Sequence, residues 1–256
     1  MTLRAIFFDQ DGVIIDTEKD GHRVAFNETF NVMGFDVYWD EGYYHELLQI
    51  GGGKERMKYD LHTRGFGKEV KPEEEDDLIQ ALHKRKTTLF IELIESGKLP
   101  LRPGIHRFMK EGMENGLILG ICTTSNERAA QAIAFNILKD IHFDFVLAGD
   151  VVSKKKPDPE IYNLALSKTG LKPEECLVIE DSRNGVLAAE AAGMHVVATT
   201  NPYTEKEDLS DADVIVTCLG DPDGERGTMR KGTLPGYNGV LQVNQLLEFF
   251  KGDLKR

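Results

Sequence analysis

Asp9 and Asp11 stand two residues apart, immediately after the apolar run AIFF and before Gly12. An apolar run that stops at a glycine reads as a strand followed by a sharp turn, so both carboxylates belong to a loop at the carboxyl end of a strand. In an open α/β sheet that edge is where ligands gather, because strand ends, helix N-termini and loops meet there. Two neighbouring carboxylates repel unless a cation or a shared proton offsets their charge, and Mg²⁺ with oxygen ligands is the usual solution. The pattern D-x-D-G is also a common turn, and on its own it does not separate the two readings.

Other chemistry-bearing residues recur at the ends of later strand-like runs. The stretch CTTSN supplies Thr123, Thr124, Ser125 and Asn126 just before a helix, where hydroxyls and helix N-terminal N–H groups suit an anionic oxygen; a plain N-cap is the competing explanation. In SKKKPDPEIY, Lys156 precedes Pro157, which biases it away from helix and aims one ammonium, whereas Lys154 and Lys155 read as a solvated turn. The stretch VIEDSRNG adds Glu180 and Asp181. More buried acids beside Asp9 and Asp11 make sense only with a cation, and the expectation is four acidic side chains converging on one divalent ion.

The elements that must position these residues follow from periodicity. From Pro103 onward short β-rich runs alternate with helical segments, the pattern of βαβ units and a parallel sheet. Strands are expected over 117–123, 145–148, 176–179, 195–198 and 214–216, and helices over 105–115, 127–136, 160–168 and 183–192, with Asp158 as N-cap and Pro159 at the first position of the third helix. Between the first strand and this region, helices are expected over 19–33, carrying Val24, Phe26, Phe30 and Met33, and over 72–94, with acids at 73–77 in its first turn and Leu78, Leu82, Leu89 and Leu93 on one face. The fold class is therefore α/β: a Rossmann-like parallel sheet flanked by helices, formed by residues 1–16 and 102–256, with an inserted all-helical cap over 17–101. A cap above the carboxyl edge would exclude water and add substrate contacts. Residues 220–239 read as an irregular excursion before a last helix over 240–250.

The chain of 256 residues carries a formal net charge of -12, which argues against nucleic acid or an anionic membrane as partner. Cys122, Cys176 and Cys218 are far apart and lack C-x-x-C spacing, so free thiols in a cytoplasmic protein are expected. No leader or membrane-spanning run is evident. The expected partner is a small phosphorylated sugar, bound by a monomer.

These motifs in this order resemble the haloacid dehalogenase superfamily of phosphotransferases, with DQDGV as first motif, Thr123 second, Lys156 third, and Glu180 with Asp181 fourth; the insertion point is similar to that of the helical cap in the phosphoglucomutase-like subgroup. The resemblance implies that Asp9 is the nucleophile forming an aspartyl-phosphate and that Asp11 is the general acid and base. It implies Mg²⁺ held by the Asp9 carboxylate, the Asp11 backbone carbonyl and Asp181, with Glu180 directly on the ion or one layer out, and Thr123 and Lys156 on the phosphoryl oxygens. A dehalogenase of the superfamily generally lacks an Asp where Asp11 stands, and a transport ATPase has Thr. Within 17–101 the strings DTEKDGHR, YWD, YHELL and GGGKER resemble CbbY-like phosphatases, which act on xylulose-1,5-bisphosphate. That likeness implies Glu18 on substrate hydroxyls and Tyr44, Lys54 and Arg56, with His22 or Arg23, on a distal phosphate. A β-phosphoglucomutase-like mutase is the rival within the same chemistry, and a non-catalytic binding module of the same fold is the rival outside it.

Overall fold

The computed structural model describes residues 2–50, 52–149 and 151–252; Gly51, the first glycine of GGGKER, lies outside them. The chain divides into two compact units, Met1–Asp16 with Pro100–Arg256, and Thr17–Leu99, so the division falls at 99/100 where the sequence pointed to 101/102.

The Thr17–Leu99 unit is helical among its described residues. A wide turn of π type over Thr17–His22 leads into α1 (Arg23–Val32), followed by α2 (Glu41–Leu47), α3 (Gly53–Thr63) and α4 (Pro72–Glu95). The expected first helix is thus split, and it buries Ala25, Phe26, Thr29 and Phe30 while Val24 faces out. Asp40 caps α2 by accepting from the Tyr43 N–H at 2.8 Å. Helix α4 starts on Pro72 with Glu73, Glu74 and Glu75 in its first turn, where the helix dipole favours acids. Its buried stripe is Ile79, Leu82, Lys86 and Ile94 rather than the expected leucine face, of which only Leu82 is fully buried. The unit's core centres on Trp39, whose ring packs 4.7 Å from Phe26 and 5.1 Å from Phe30 between centroids. The Trp39 indole N–H donates to Asp60 at 2.6 Å and the Tyr43 hydroxyl donates to the other Asp60 oxygen at 2.6 Å, so this buried acid is satisfied.

The other unit holds a sheet of β1 (Ala5–Phe8), β2 (Ile118–Cys122), β3 (Phe145–Leu147), β4 (Cys176–Glu180), β5 (His195–Thr199), β6 (Val214–Val216) and β7 (Met229–Lys231), in the order β3-β2-β1-β4-β5-β6-β7. Pairings through β6 are parallel and β7 is antiparallel. Every residue of β1 and β4 is buried, as a parallel sheet covered on both faces requires. The flanking helices are α5 (Ile105–Glu114), α6 (Glu127–Ala132, continued by a π turn to Ile137), α7 (Glu160–Thr169), α8 (Arg183–Ala191) and α9 (Val243–Gly252). Cys122, Cys176 and Cys218 are free and buried. No helix among the described residues is long and apolar enough to cross a membrane.

Three local expectations shift. Helix α7 begins at Glu160 with Pro159 as its N-cap, and Asp158 instead accepts from the Glu160 N–H at 3.1 Å. The last helix starts at Val243 because the Leu241 N–H pairs with Leu219 O at 2.8 Å, holding the preceding residues extended. Strand β7 lies inside the 220–239 excursion, where a three-residue run with two basic residues carries no strand periodicity.

Chain order and spatial order part company at β1, with β2 on one side and β4 on the other, so the crevice between the carboxyl ends of β1 and β4 is the switch point of the sheet. Helix α8 approaches β4 so closely that a Cβ on Gly185 would fall on the Glu180 carboxylate. We expect Gly185→Ala to lower unfolding free energy by about 1–3 kcal/mol in urea denaturation; an unchanged midpoint would show that Glu180 yields freely.

Candidate active site

Asp9 follows β1, and Glu180 and Asp181 end and follow β4, so the switch point brings their carboxylates together: one oxygen from each lies within 4.8 Å of the others. All three are buried, Glu180 completely. Lys156 joins them from the loop before α7. Its ammonium donates to Asp9 Oδ1 at 2.5 Å, Glu180 Oε1 at 2.6 Å and the Cys122 carbonyl at 3.0 Å, using all three donors. The Tyr162 ring lies 5.1 Å from the ammonium, and its hydroxyl donates to Glu180 Oε1 at 2.8 Å.

Glu180 is thereby saturated. Oε1 takes Lys156 and Tyr162, while Oε2 takes the Asp181 N–H at 3.0 Å and the Ser182 hydroxyl at 3.3 Å. Both of its oxygens are thus engaged by protein donors. Asp181 Oδ2 accepts from Asn201 at 2.6 Å, and Gly12, with φ of +77°, sits where a Cβ would fall on that same oxygen. Only glycine fits there.

Asp11 departs from the expected convergence. Its carboxylate is outside the three-acid cluster among the described residues; it accepts from the Ser125 hydroxyl and, at 3.5 Å, from the Gln10 amide. The Ser125 hydroxyl holds this carboxylate outside that cluster. Thr123 is buried at the end of β2, and its hydroxyl accepts from the Ser125 N–H at 3.1 Å. Asn126 caps α6, accepting from Arg128 N–H at 3.0 Å and Ala129 N–H at 3.3 Å, so its side-chain carbonyl is committed to the helix end.

The electrostatics follow from burial. Removal from water pushes the Asp9 carboxyl up to about 8; Lys156 opposes this, while Glu180 and Asp11 add to it. Burial, then Glu180 and Asp9, hold Asp181 well above the usual carboxylate range. Burial works against the Lys156 ammonium too, but Asp9 and Glu180 outweigh it and keep its pKa well above the ordinary lysine value. When ionised, three carboxylates outnumber the one ammonium in contact with them, an excess of negative charge that a divalent cation would offset. Asp9 and Asp181, with the saturated Glu180 behind them, fit such an ion.

In the helical unit the Tyr44 hydroxyl donates to Glu18 at 2.6 Å, and the Arg56 guanidinium lies 5.9 Å from the Tyr44 ring, so these three form one cluster. Arg56 also donates to Ile50 O at 3.0 Å. Lys54 is exposed at the start of α3. Arg23 is spent on its own unit, donating to Lys19 O at 3.2 Å and Trp39 O at 3.4 Å and pairing with Glu41 at 3.8 Å. His22 stacks on Phe90 at 3.9 Å between centroids and lies 2.7 Å from the Lys86 ammonium through Nδ1. Burial, then Lys86 and Arg56, press His22 well below its usual pKa, so it is neutral and Nδ1 accepts. Burial likewise brings Lys86 down to about 8, against the pull of Glu18. In the sequence Lys86 is marked only as a lysine four residues after Leu82 on an otherwise apolar helix face, and Tyr162 and Asn201 carry no local mark.

The raised Asp9 pKa has a stability consequence. The unfolded carboxyl titrates near 3.8 and the folded one at about 8, so between these values the native state holds the extra proton. This contribution is complete below pH 3.8 and is lost as pH rises through 8. Metal-stripped protein is expected to lose melting temperature between pH 5 and 8, and saturating Mg²⁺ is expected to flatten the slope; the same slope in Asp9→Asn would contradict the assignment.

A family model described as haloacid dehalogenase-like hydrolase matches residues 3–193. A CBBY-like protein of Arabidopsis thaliana is 47% identical over 226 residues, covering 87% of this chain and 71% of the relative. Protein CbbY of Rhodobacter capsulatus is 42% identical over 216 residues, covering 83% of this chain and 92% of the relative. Among solved structures, a mutant of CbbY from Rhodobacter sphaeroides in complex with xylulose-(1,5)bisphosphate matches with a TM-score of 0.65 and 36% identity, over 87% of this chain and 97% of that one. With the acids at the switch point, this match over most of the chain means that the protein belongs to the haloacid dehalogenase-like hydrolases, alongside CbbY-like proteins.

Proposed function

We propose that the protein is a Mg²⁺-dependent sugar-phosphate phosphatase acting through Asp9, with a pentulose bisphosphate of the xylulose-1,5-bisphosphate type as substrate. The observation that carries this reading is the placement of Lys156 against Asp9 at 2.5 Å inside a buried cluster with two further acids. The substrate class rests on the CbbY relatives, one of which was solved with xylulose-(1,5)bisphosphate.

The Asp9 carboxylate attacks phosphorus, a P–O bond forms, and the bond from phosphorus to the sugar oxygen breaks. Asp11 in its protonated form gives its proton to the departing oxygen; it then takes a proton from water, which attacks phosphorus, releases inorganic phosphate and restores Asp9. The Ser125 hydroxyl orients Asp11 for both transfers. Mg²⁺, held by Asp9, Asp181 and the Asp11 carbonyl, would supply charge compensation between the carboxylate and the phosphate.

Lys156 has a changing role. Its three donors are committed to Asp9, Glu180 and Cys122 O. As the Asp9 carboxylate becomes an acyl phosphate it loses its charge, and the donor it held turns to the phosphoryl oxygen where charge builds; Glu180 and Cys122 O keep the nitrogen in place meanwhile. Thr123 holds a second phosphoryl oxygen. Glu18 and Tyr44 take sugar hydroxyls, and Arg56 and Lys54 favour a substrate with a second phosphate.

The test is phosphate release with Mg²⁺ across mono- and bisphosphorylated pentoses and hexoses. A five-carbon ketose bisphosphate is expected to be preferred, and Asp9→Asn, folded by circular dichroism, to lose at least about a thousandfold in kcat. Activity in Asp9→Asn would sink the nucleophile, indifference to the second phosphate would remove the role of Lys54 and Arg56, and isomerisation with little phosphate release would favour a mutase.

A further inference from the structure

Arg102 takes no part in the reaction above, yet it is bonded more densely than any residue that merely fills space needs to be. Its backbone N–H donates to Ile14 O at 2.9 Å. Nη1 donates to Gly12 O and to the Thr199 hydroxyl at 3.2 Å, and Nη2 donates to Thr200 O at 2.6 Å and Thr217 O at 3.1 Å. One planar fork thus joins the turn after β1 to the ends of β5 and β6. Such a fork is pre-organised, whereas a lysine ammonium would have to choose among these acceptors.

The turn it grips is the one between Asp9 and Asp16. Inside that turn Gln10 O accepts from Ile14 N–H at 2.9 Å, and Gly12 N–H donates to Ile15 O at 2.8 Å. Arg102 fastens it from outside at two carbonyls, Gly12 and Ile14. Gly12 in turn rests against Asp181 and Asn201, so a shift at its carbonyl reaches the cluster on the opposite face. Among the described residues the hydrogen-bond acceptors of the Arg102 side chain are all uncharged oxygens, which leaves its charge acting on Asp181 and Asp16 nearby.

Arg102 is itself braced from behind. Gly104 N–H donates to Asp221 at 2.7 Å, Gly220 N–H donates to Pro103 O at 3.2 Å, and Arg107 donates to Gly220 O at 2.7 Å and Leu241 O at 3.0 Å. The start of the 220–239 excursion therefore anchors the 102–104 segment, giving that irregular stretch a purpose.

We infer that Arg102 is a positioning residue for the reacting carboxylates, clamping the 10–15 turn so that Asp9, Asp11 and Asp181 address one phosphoryl group and one ion. The inference rests on the phosphatase reading for its effect on turnover, but not for its effect on the turn or on metal binding.

The experiment compares Arg102→Lys and Arg102→Ala with the full-length wild type in Mg²⁺ calorimetry, in amide exchange of the peptide spanning the 10–15 turn, and in steady-state kinetics. Loss of an outer support of this kind is expected to weaken Mg²⁺ affinity and kcat by about 10–100-fold. The turn's amides should exchange faster while KM changes little, with Lys recovering only part of the loss despite keeping the charge. Methylguanidine should restore kcat in Arg102→Ala, an effect that a general loss of stability does not produce. If Arg102→Ala does not fold, Arg102→Lys carries the comparison. Wild-type Mg²⁺ affinity and wild-type exchange in a folded variant would overturn the inference. A wild-type chain that bound Mg²⁺ without hydrolysing any sugar phosphate would count against the phosphatase reading instead, and exchange in the turn would still decide the part played by Arg102.

Discussion

An uncompensated negative charge in a buried crevice is the constraint on which this structure turns. Asp9, Glu180 and Asp181 share a space in which Lys156 is the cation in direct contact. Leaving carboxylate charge unmatched away from water costs several kcal/mol per ion. The molecule responds with protonation where no metal is bound, seen in the raised pKa values of Asp9 and Asp181, and with a geometry suited to a divalent ion. A site that is costly when empty and neutral when filled would hold a divalent cation tightly, and on the proposed reading Asp9 would be ionised only when that cation is present.

The surrounding fold divides the labour among the acids. Glu180 gives all its hydrogen-bonding capacity to Lys156, Tyr162, Ser182 and the chain at Asp181, so it fixes the lysine. Asp181 is steadied by Asn201, and Asp9 by Lys156. Glycines at 12 and 185 make room for the Asp181 and Glu180 carboxylates, so the crowding that raises the pKa values is built by backbone approach as much as by side chains. The helical unit uses the opposite arrangement, with Lys86, Arg56 and neutral His22 forming a cationic group moderated by Glu18.

Much of the catalytic core was legible in the sequence because a parallel sheet buries both faces of its strands, so β1 and β4 read as uninterrupted apolar runs and their ends locate themselves. The acids and the lysine then fall at strand ends without knowledge of the sheet order. What stayed hidden depended on partners distant in sequence. Nothing local distinguishes Glu180, which accepts from Lys156, from Asp181, which does not; the difference lies in Tyr162 and Ser182 on one and Asn201 on the other. Asp11 was expected beside the other acids, but a serine 114 residues away takes its carboxylate. The helical unit was less readable, since α4 packs along a stripe containing a lysine and the π turn at 17–22 follows no helical period.

The most direct test of the charge argument is a ¹³C NMR titration of the aspartate carboxyl carbons, with Asp9 assigned through Asp9→Asn, in metal-stripped and Mg²⁺-saturated protein. A midpoint of about 8 is expected without metal, falling below the ordinary carboxylate value of 3.8 when Mg²⁺ is bound. A midpoint already near 3.8 in the stripped protein, or one that Mg²⁺ leaves unmoved, would contradict it.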